Sequence, residues 1–332
     1  MSRWYLFRVV FPVVCLGCVM SATQVVWAAE PQVVSVNKIW DRAPYNSFTD
    51  LIRFDNRWWC TFREGQAHEG DVGQVRLITS QDSDAWKSAA LVAEKGIDLR
   101  DPKLSITPDG RLMLVMGGIV YDGTKYLTRS PRIAFSSDGR KWTPPRKVLA
   151  EDHWLWRVTW HKGRAYSVSK MGEGRNPRRG ILYRSTDGID WQWITEFILP
   201  NETWNASETT LRFLPNDELV ALVRPYWIGT SQPPYKQWTW TRMKYSIGGP
   251  NFIRLPDGSL WAAGRRYLEG GKRITVLARM TTNSYEPVLT LPSGGDCSYP
   301  GLVWHDGLLW MSYYSSHAGK ANIYLARIRI NR

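Results

Sequence analysis

Cysteine is scarce in this chain. Of the four present, Cys15 and Cys18 lie in an N-terminal segment expected to be removed, which leaves Cys60 and Cys297. Two thiols cannot staple a chain of this length, so a disulfide scaffold is excluded. Cys/His clusters with zinc spacing are lacking and the five His are scattered, so neither a metal site nor a cofactor is expected. Long apolar runs are lacking as well. The stretch from Val9 to Met20 falls short of the roughly 20 residues that span a bilayer, so no stable membrane insertion is expected. Arg3 and Arg8 precede it, and Val25-Val26-Trp27-Ala28-Ala29 follows with small residues suited to cleavage. Residues 1–29 therefore read as a signal peptide and 30–332 as one exported domain, periplasmic or extracellular. A retained anchor and a lipoprotein site at Leu16-Gly17-Cys18 are the alternatives. Sustained helical periodicity is also missing, which argues against a helical domain.

Acidic residues are in the minority, 30 against 43 Lys and Arg, for a formal charge of +13. The cations form no runs and no nucleic-acid-binding motif, so nucleic acid is not the expected partner. For an exported basic protein an anionic glycan fits better. What the chain has in abundance is Trp (19), Gly (27) and Pro (19), the content of an all-β fold with many turns.

An internal repeat organises the rest. Six strand–turn–strand units read TDLIRFDNRWWCTFR, DPKLSITPDGRLMLVMG, WRVTWHKGRAYSVSK, ETTLRFLPNDELVALVR, PNFIRLPDGSLWAAGR and YPGLVWHDGLLWMSYY. Their turns carry hairpin residues between apolar, β-branched flanks. Anchored on Asn56, Gly110, Gly163, Asp217, Gly258 and Gly307, they recur at intervals of 54, 53, 54, 41 and 49 residues. Six units of about 50 residues suit an all-β, six-bladed β-propeller of four-stranded antiparallel blades. The last blade lacks an outer strand and residues 33–40, VVSVNKIW, lack a hairpin partner. Their pairing would close the ring and remove an exposed edge. A monomer is the expected state.

A second repeat interleaves with the first. Ser80-Gln81-Asp82-Ser83-Asp84-Ala85-Trp86, Ser136-Ser137-Asp138-Gly139-Arg140-Lys141-Trp142 and Ser185-Thr186-Asp187-Gly188-Ile189-Asp190-Trp191 share Ser, Asp and Trp at fixed spacing. Each reads as a turn stapled by its Asp, with the Trp buried against the blade. Asp82, Asp138 and Asp187 are thus structural residues, not catalytic candidates.

Seven residues past each turn anchor stand Arg63, Gly117, Lys170, Arg224, Arg265 and Tyr314. Blades are related by rotation, so these positions form a ring at one end of the channel. Four cations among six otherwise apolar strand ends point to an anion site, because paired guanidinium N–H groups grip a carboxylate. Solvent-facing strand ends are the bland alternative. Nine residues before the anchors, Asp101 and Glu208 begin their strands, and Tyr299 stands close to the equivalent position. Packing for Tyr299, a turn role for Asp71 in Glu69-Gly70-Asp71-Val72-Gly73 and an ion pair for Glu208 are the structural alternatives.

Ser207-Glu208-Thr209-Thr210-Leu211 through Arg224, and Tyr299-Pro300-Gly301-Leu302 before Asp306-Gly307, resemble the strand pairs of the exo-α-sialidase family. The Ser/Asp/Trp turns look like its Asp-boxes. The resemblance spans nearly the whole mature chain in blade count and turns, and is thinner at single catalytic positions. It implies a Tyr299 nucleophile assisted by Glu208, and an acid/base role for Asp71 in Glu69-Gly70-Asp71-Val72-Gly73. It also implies a carboxylate site drawn from Arg63, Arg224 and Arg265. A Tyr nucleophile suits a sugar bearing a carboxylate at its anomeric carbon, which would repel an anionic nucleophile. The chain departs from the family at Ser47-Phe48-Thr49-Asp50-Leu51, where an Arg-Ile-Pro segment is usual. Arg63 and Arg100 both compete to fill that place, and Arg273 competes with Arg265. Two further readings stay open: a propeller glycosidase using two carboxylates such as Asp101 and Glu208, and a lectin-like propeller that only binds anionic glycans.

Overall fold

The structure is a computed structural model; it describes Met1 and residues 30–172, 179–200 and 206–331. The expected signal peptide lies outside the described residues, Met1 aside. The six hairpins form where the repeat places them, because their turns demand left-handed backbone. Asp55-Asn56, Lys162-Gly163 and Asp306-Gly307 have positive φ at both central residues, the geometry that matches the twist of flanking strands.

Each hairpin is the inner half of a four-stranded antiparallel sheet. Blade 1 begins with Tyr45–Phe54 and Arg57–Gly65, blade 2 with Ile97–Ile106 and Leu112–Asp122. In blade 3 the inner edge is broken into Trp154–Leu155 and Thr159–His161, both paired with Arg164–Met171. Blade 4 opens with Thr209–Phe213 and Leu219–Val223, blade 5 with Gly248–Arg254 and Leu260–Tyr267. Blade 6 is Cys297–His305, Leu308–Ser315 and Asn322–Arg329. Its outer strand is Gln32–Trp40, paired antiparallel from Gln32↔Arg329 to Trp40↔Ile323. The ring closes through the N-terminal strand, as its unpaired pattern required.

The core is divided among the blade interfaces, with an apolar cluster between each pair of neighbours. Trp59 and Leu77 of blade 1 meet Leu99 and Leu114 of blade 2. Trp310 and Ile323 of blade 6 meet Phe48 and Trp58 of blade 1. Because alternate strand residues face opposite neighbours, both faces of a blade are apolar.

The three Ser/Asp/Trp turns share one hydrogen-bond pattern. Asp82 Oδ1 accepts the N–H groups of Asp84 and Ala85 at 3.0 and 2.9 Å, and Asp138 accepts those of Arg140 and Lys141 at 2.8 Å. Asp187 does the same with Ile189 and Asp190. Backbone N–H groups of Ala85 and Asp84 hold the Asp82 carboxyl down at about 2. The tryptophans differ from the expected burial. Trp86, Trp142 and Trp191 are only half-buried, each donating its indole N–H to the turn, as Trp142 does to Gly139 O at 3.0 Å. The tight contact comes from the neighbouring blade: the Trp59 ring lies where a Cβ on Gly139 would stand, 2.4 Å away. Cys60 and Cys297 are separate buried thiols.

Candidate active site

The inner strands of blades 1, 2, 5 and 6 carry a register shift at the same height, between Ser47 and Asp50, Arg100 and Lys103, Gly248 and Asn251, and Ser298 and Gly301. The bulge residues are left-handed: Phe48 (φ 63°), Asp101 (52°), Gly249 (57°) and Tyr299 (52°). Such backbone is costly for residues other than Gly and gathers at functional sites. A bulge re-aims a side chain, and here it turns these residues toward the channel. Trp154 of blade 3 and Glu208 of blade 4 occupy the matching positions. Gly249 has no alternative: a Cβ there would lie 2.7 Å from the Tyr299 ring.

Over this ring opens a pocket of about 550 Å³, lined by Arg100, Asp101, Trp154, Trp156, Lys170, Glu208 and Arg224 among others. Glu208 is its most connected group. Its Oε1 accepts the Tyr299 hydroxyl at 2.5 Å and Arg224 Nη1 at 2.5 Å, and its Oε2 accepts the Gly249 N–H at 2.5 Å. Burial pushes the Glu208 carboxyl up, but the Arg224 charge, the Tyr299 hydroxyl and the Gly249 N–H outweigh it and hold it below the usual range. Glu208 is therefore ionised. Burial, and then the Glu208 charge, push the Tyr299 phenol well above its ordinary value. Tyr299 lines a smaller cavity deeper in the channel and reaches the pocket through Glu208.

Asp101 has the opposite environment. Its Oδ1 is buried without a hydrogen-bond partner, and burial raises its pKa despite the nearby Arg100 and Lys103 charges. Two carboxyls of one pocket are thus pushed apart, one toward the acid and one toward the base form.

The cations fall into two groups. Arg100 and Arg224 line the pocket. Arg224 is raised by the Glu208 charge and also donates to Tyr267 Oη at 2.8 Å. The Arg100 guanidinium lies 4.9 Å from the Phe48 ring centroid and donates to His68 O at 2.6 Å. Arg265 stands behind Tyr299, 5.5 Å from its ring centroid, and is paired with Asp296 at 2.7 Å. Asp296 also binds His68 Nδ1 at 2.7 Å and the hydroxyls of Tyr45 and Tyr314.

Arg63 and Asp71, expected in the site, lie outside the pocket lining. Arg63 is completely buried and spends its donors inside the protein, on Asp98 at 2.7 Å, Ala67 O at 2.8 Å and Asp71 at 2.8 Å. Asp71 uses its other oxygen on the Gln66 N–H at 2.7 Å. Burial raises its pKa, yet the Arg63 bond and the Gln66 and Ala67 N–H groups bring it below the usual range. Both residues staple the 66–73 loop to blade 2 and stand outside the pocket lining. Asp296, His68, Phe48 and Trp154 were not singled out from sequence. The offset of eight or nine residues before each turn that finds Asp101 and Glu208 also finds Phe48 and Trp154.

Among the described residues no group of three or more His, Cys, Asp or Glu is placed to hold a metal ion, and no helix is long and apolar enough to cross a membrane. No protein-family model matches the sequence, and no curated protein does. Solved structures do resemble it. A protein of unknown function from Dyadobacter fermentans is 17% identical, with a TM-score of 0.75 over 92% of this chain and 99% of that one. An α-L-arabinofuranosidase of Fusarium graminearum is 14% identical, with a TM-score of 0.70 over 90% of this chain and 98% of its own. The sialidase of Trypanosoma rangeli is 11% identical, with a TM-score of 0.65 over 89% of this chain. This chain spans 58% of that sialidase's length. The likeness is one of fold. Two of these three neighbours are glycoside hydrolases by name.

Proposed function

We propose that the protein is a glycoside hydrolase that removes a terminal acidic sugar of the sialic acid type. The observation that carries this reading is the 2.5 Å hydrogen bond from the Tyr299 hydroxyl to an ionised Glu208. A neutral phenol is a poor nucleophile, and Glu208 can take its proton as the oxygen attacks the anomeric carbon. Asp101, whose carboxyl burial pushes above the usual range, donates its proton to the departing oxygen and later activates water. It takes the role first expected of Asp71. Arg224 and Arg100, both in the pocket lining, grip the substrate carboxylate.

A second reading is favoured by one specific observation: Asp101 and Glu208 line the pocket directly, whereas Tyr299 lies behind Glu208. In that reading Glu208 itself is the nucleophile or base, Tyr299 only orients it, and the sugar is neutral. Turnover of an aryl α-sialoside against an aryl α-L-arabinofuranoside separates the two. Hydrolysis of the sialoside alone supports the first reading, and hydrolysis of the arabinofuranoside alone replaces it with the second. Binding of a sialylated glycan without hydrolysis of either marks the lectin-like propeller.

A further inference from the structure

One buried cation is not used by the mechanism above. Lys103 follows Asp101 by two residues and closes the same bulge. Its side chain enters the channel beneath the pocket, where Nζ donates to Thr49 O of blade 1 and to Pro102 O, both at 3.1 Å. It lies 5.8 Å from the Tyr299 ring centroid and shares with Tyr299, Trp156 and Arg157 the small cavity below the pocket floor. No carboxylate forms an ion pair with it among the described residues. Asp50, which faces it from blade 1, pairs instead with Arg157 at 2.6 Å. An ammonium buried in this way is costly, and it survives only where its field or its bonds are needed.

We propose that Lys103 is a positioning residue for the pocket carboxyls. Its ammonium clamps the bulge that presents Asp101, through Pro102 O and Thr49 O, and supplies from below the positive charge that Asp101 and Glu208 share. The inference rests on the reading of Asp101 as acid and Glu208 as base. The groups facing Lys103 are Asp50 and Cys60 of blade 1, Asp101 of its own strand, Arg157 of blade 3, Glu208 of blade 4 and Tyr299 of blade 6. Asp101 in turn faces Arg100, Glu208 and His68, and Glu208 faces Arg224 and Arg265. Burial and the Arg157 charge push Lys103 down to about 8, so its charge is present throughout the acidic range in which the pair works.

The sign follows. Loss of the ammonium removes a charge that favours both carboxylates, so both pKa values rise.

The test is carboxyl ¹³C NMR titration of the full chain, with Asp101 assigned through Asp101→Asn and Glu208 through Glu208→Gln. Lys103→Met and Lys103→Gln, the latter keeping an N–H donor toward Pro102 O, should both raise the two carboxyls. Lys103→Gln should retain more turnover of the preferred aryl glycoside than Lys103→Met, because it still clamps the bulge. Carboxyl titrations unchanged in both folded variants overturn the proposal even if the wild type is a glycosidase. The converse, shifted titrations in a protein that hydrolyses neither aryl glycoside but binds a sialylated glycan, leaves Lys103 positioning the two carboxyls and discards their acid and base roles.

Discussion

Gly249 offers the sharpest perturbation of the site, because replacing it adds only a methyl group and removes no charge. Its φ is 57°, and a Cβ would stand 2.7 Å from two atoms of the Tyr299 ring. The ring would have to retreat by about 0.7 Å to reach ordinary contact at 3.4 Å. The same residue donates its N–H to Glu208 Oε2, so the shift is felt on both sides of the Tyr299–Glu208 bond. Left-handed backbone costs a non-Gly residue about 1–2 kcal/mol, and overpacking adds about 1–3 kcal/mol. Gly249→Ala should therefore lose about 2–5 kcal/mol of stability, seen as a fall in Tm of roughly 5–15 °C. Displacing a reacting group by about 1 Å costs on the order of 100-fold, so kcat should fall roughly 10- to 100-fold. KM should change little, because the cations lining the pocket are untouched. Gly110→Ala is the control. Its φ is 81°, but nothing lies within 4 Å of its Cβ position, so it should lose a few degrees of Tm and no activity. Differential scanning fluorimetry and steady-state kinetics read both variants. Wild-type kcat in Gly249→Ala would show that the Tyr299–Glu208 contact is not part of the chemistry.

Other expectations follow from the same geometry. Asp101→Asn should lower turnover by roughly 10²–10⁴-fold on poor leaving groups, with a smaller loss on activated aryl glycosides; equal losses on both would remove Asp101 as the acid. Asp71→Asn should fall well short of that loss, and a comparable loss would restore Asp71 to the chemistry. The proposed mechanism requires Asp101 protonated and Glu208 ionised. Because Asp101 is raised and Glu208 lowered, kcat/KM should hold across an acidic window, fall as pH rises through the Asp101 value, and lose that limb in Asp101→Asn. Arg63→Met strands the buried Asp98 carboxylate and should cost about 3–5 kcal/mol by chemical denaturation, whereas a stable Arg63→Met would contradict its structural role. Trp142 is half-buried, so Trp142→Ala should cost about 1–3 kcal/mol, below the 3–5 of an emptied aromatic core site.

The blades were legible because each obeys local rules. Turn residues such as Lys162-Gly163 and Asp306-Gly307 announce left-handed backbone, and the unpaired strand at 33–40 could satisfy its hydrogen bonds only on the last blade. Glu208, Asp101 and Tyr299 were reachable because rotation carries one blade's strand start onto the next. Arg63 shows the limit of that argument. Its ring position is equivalent to that of Arg224, but the 66–73 loop folds back and Asp98 and Asp71 consume its charge, a contact between blades that spacing cannot express. The bulges were hidden for a different reason. Three of the four left-handed bulge residues are Phe48, Asp101 and Tyr299, none of them glycine, so their own residue type does not announce the backbone that aims them; the mark in the sequence is the proline after Asp101, Gly249 and Tyr299, which fits an edge strand as well as a bulge.

The central claim is that the bond to the sugar forms at Tyr299. It is tested most directly by trapping the intermediate. The protein is incubated with a fluorinated, activated derivative of whichever aryl glycoside it turns over, quenched in acid, digested and read by peptide mass spectrometry. The account predicts one sugar adduct per chain, on Tyr299, and its absence in Tyr299→Phe and Glu208→Gln. An adduct on Glu208, or turnover with inverted anomeric configuration and no adduct, would contradict it.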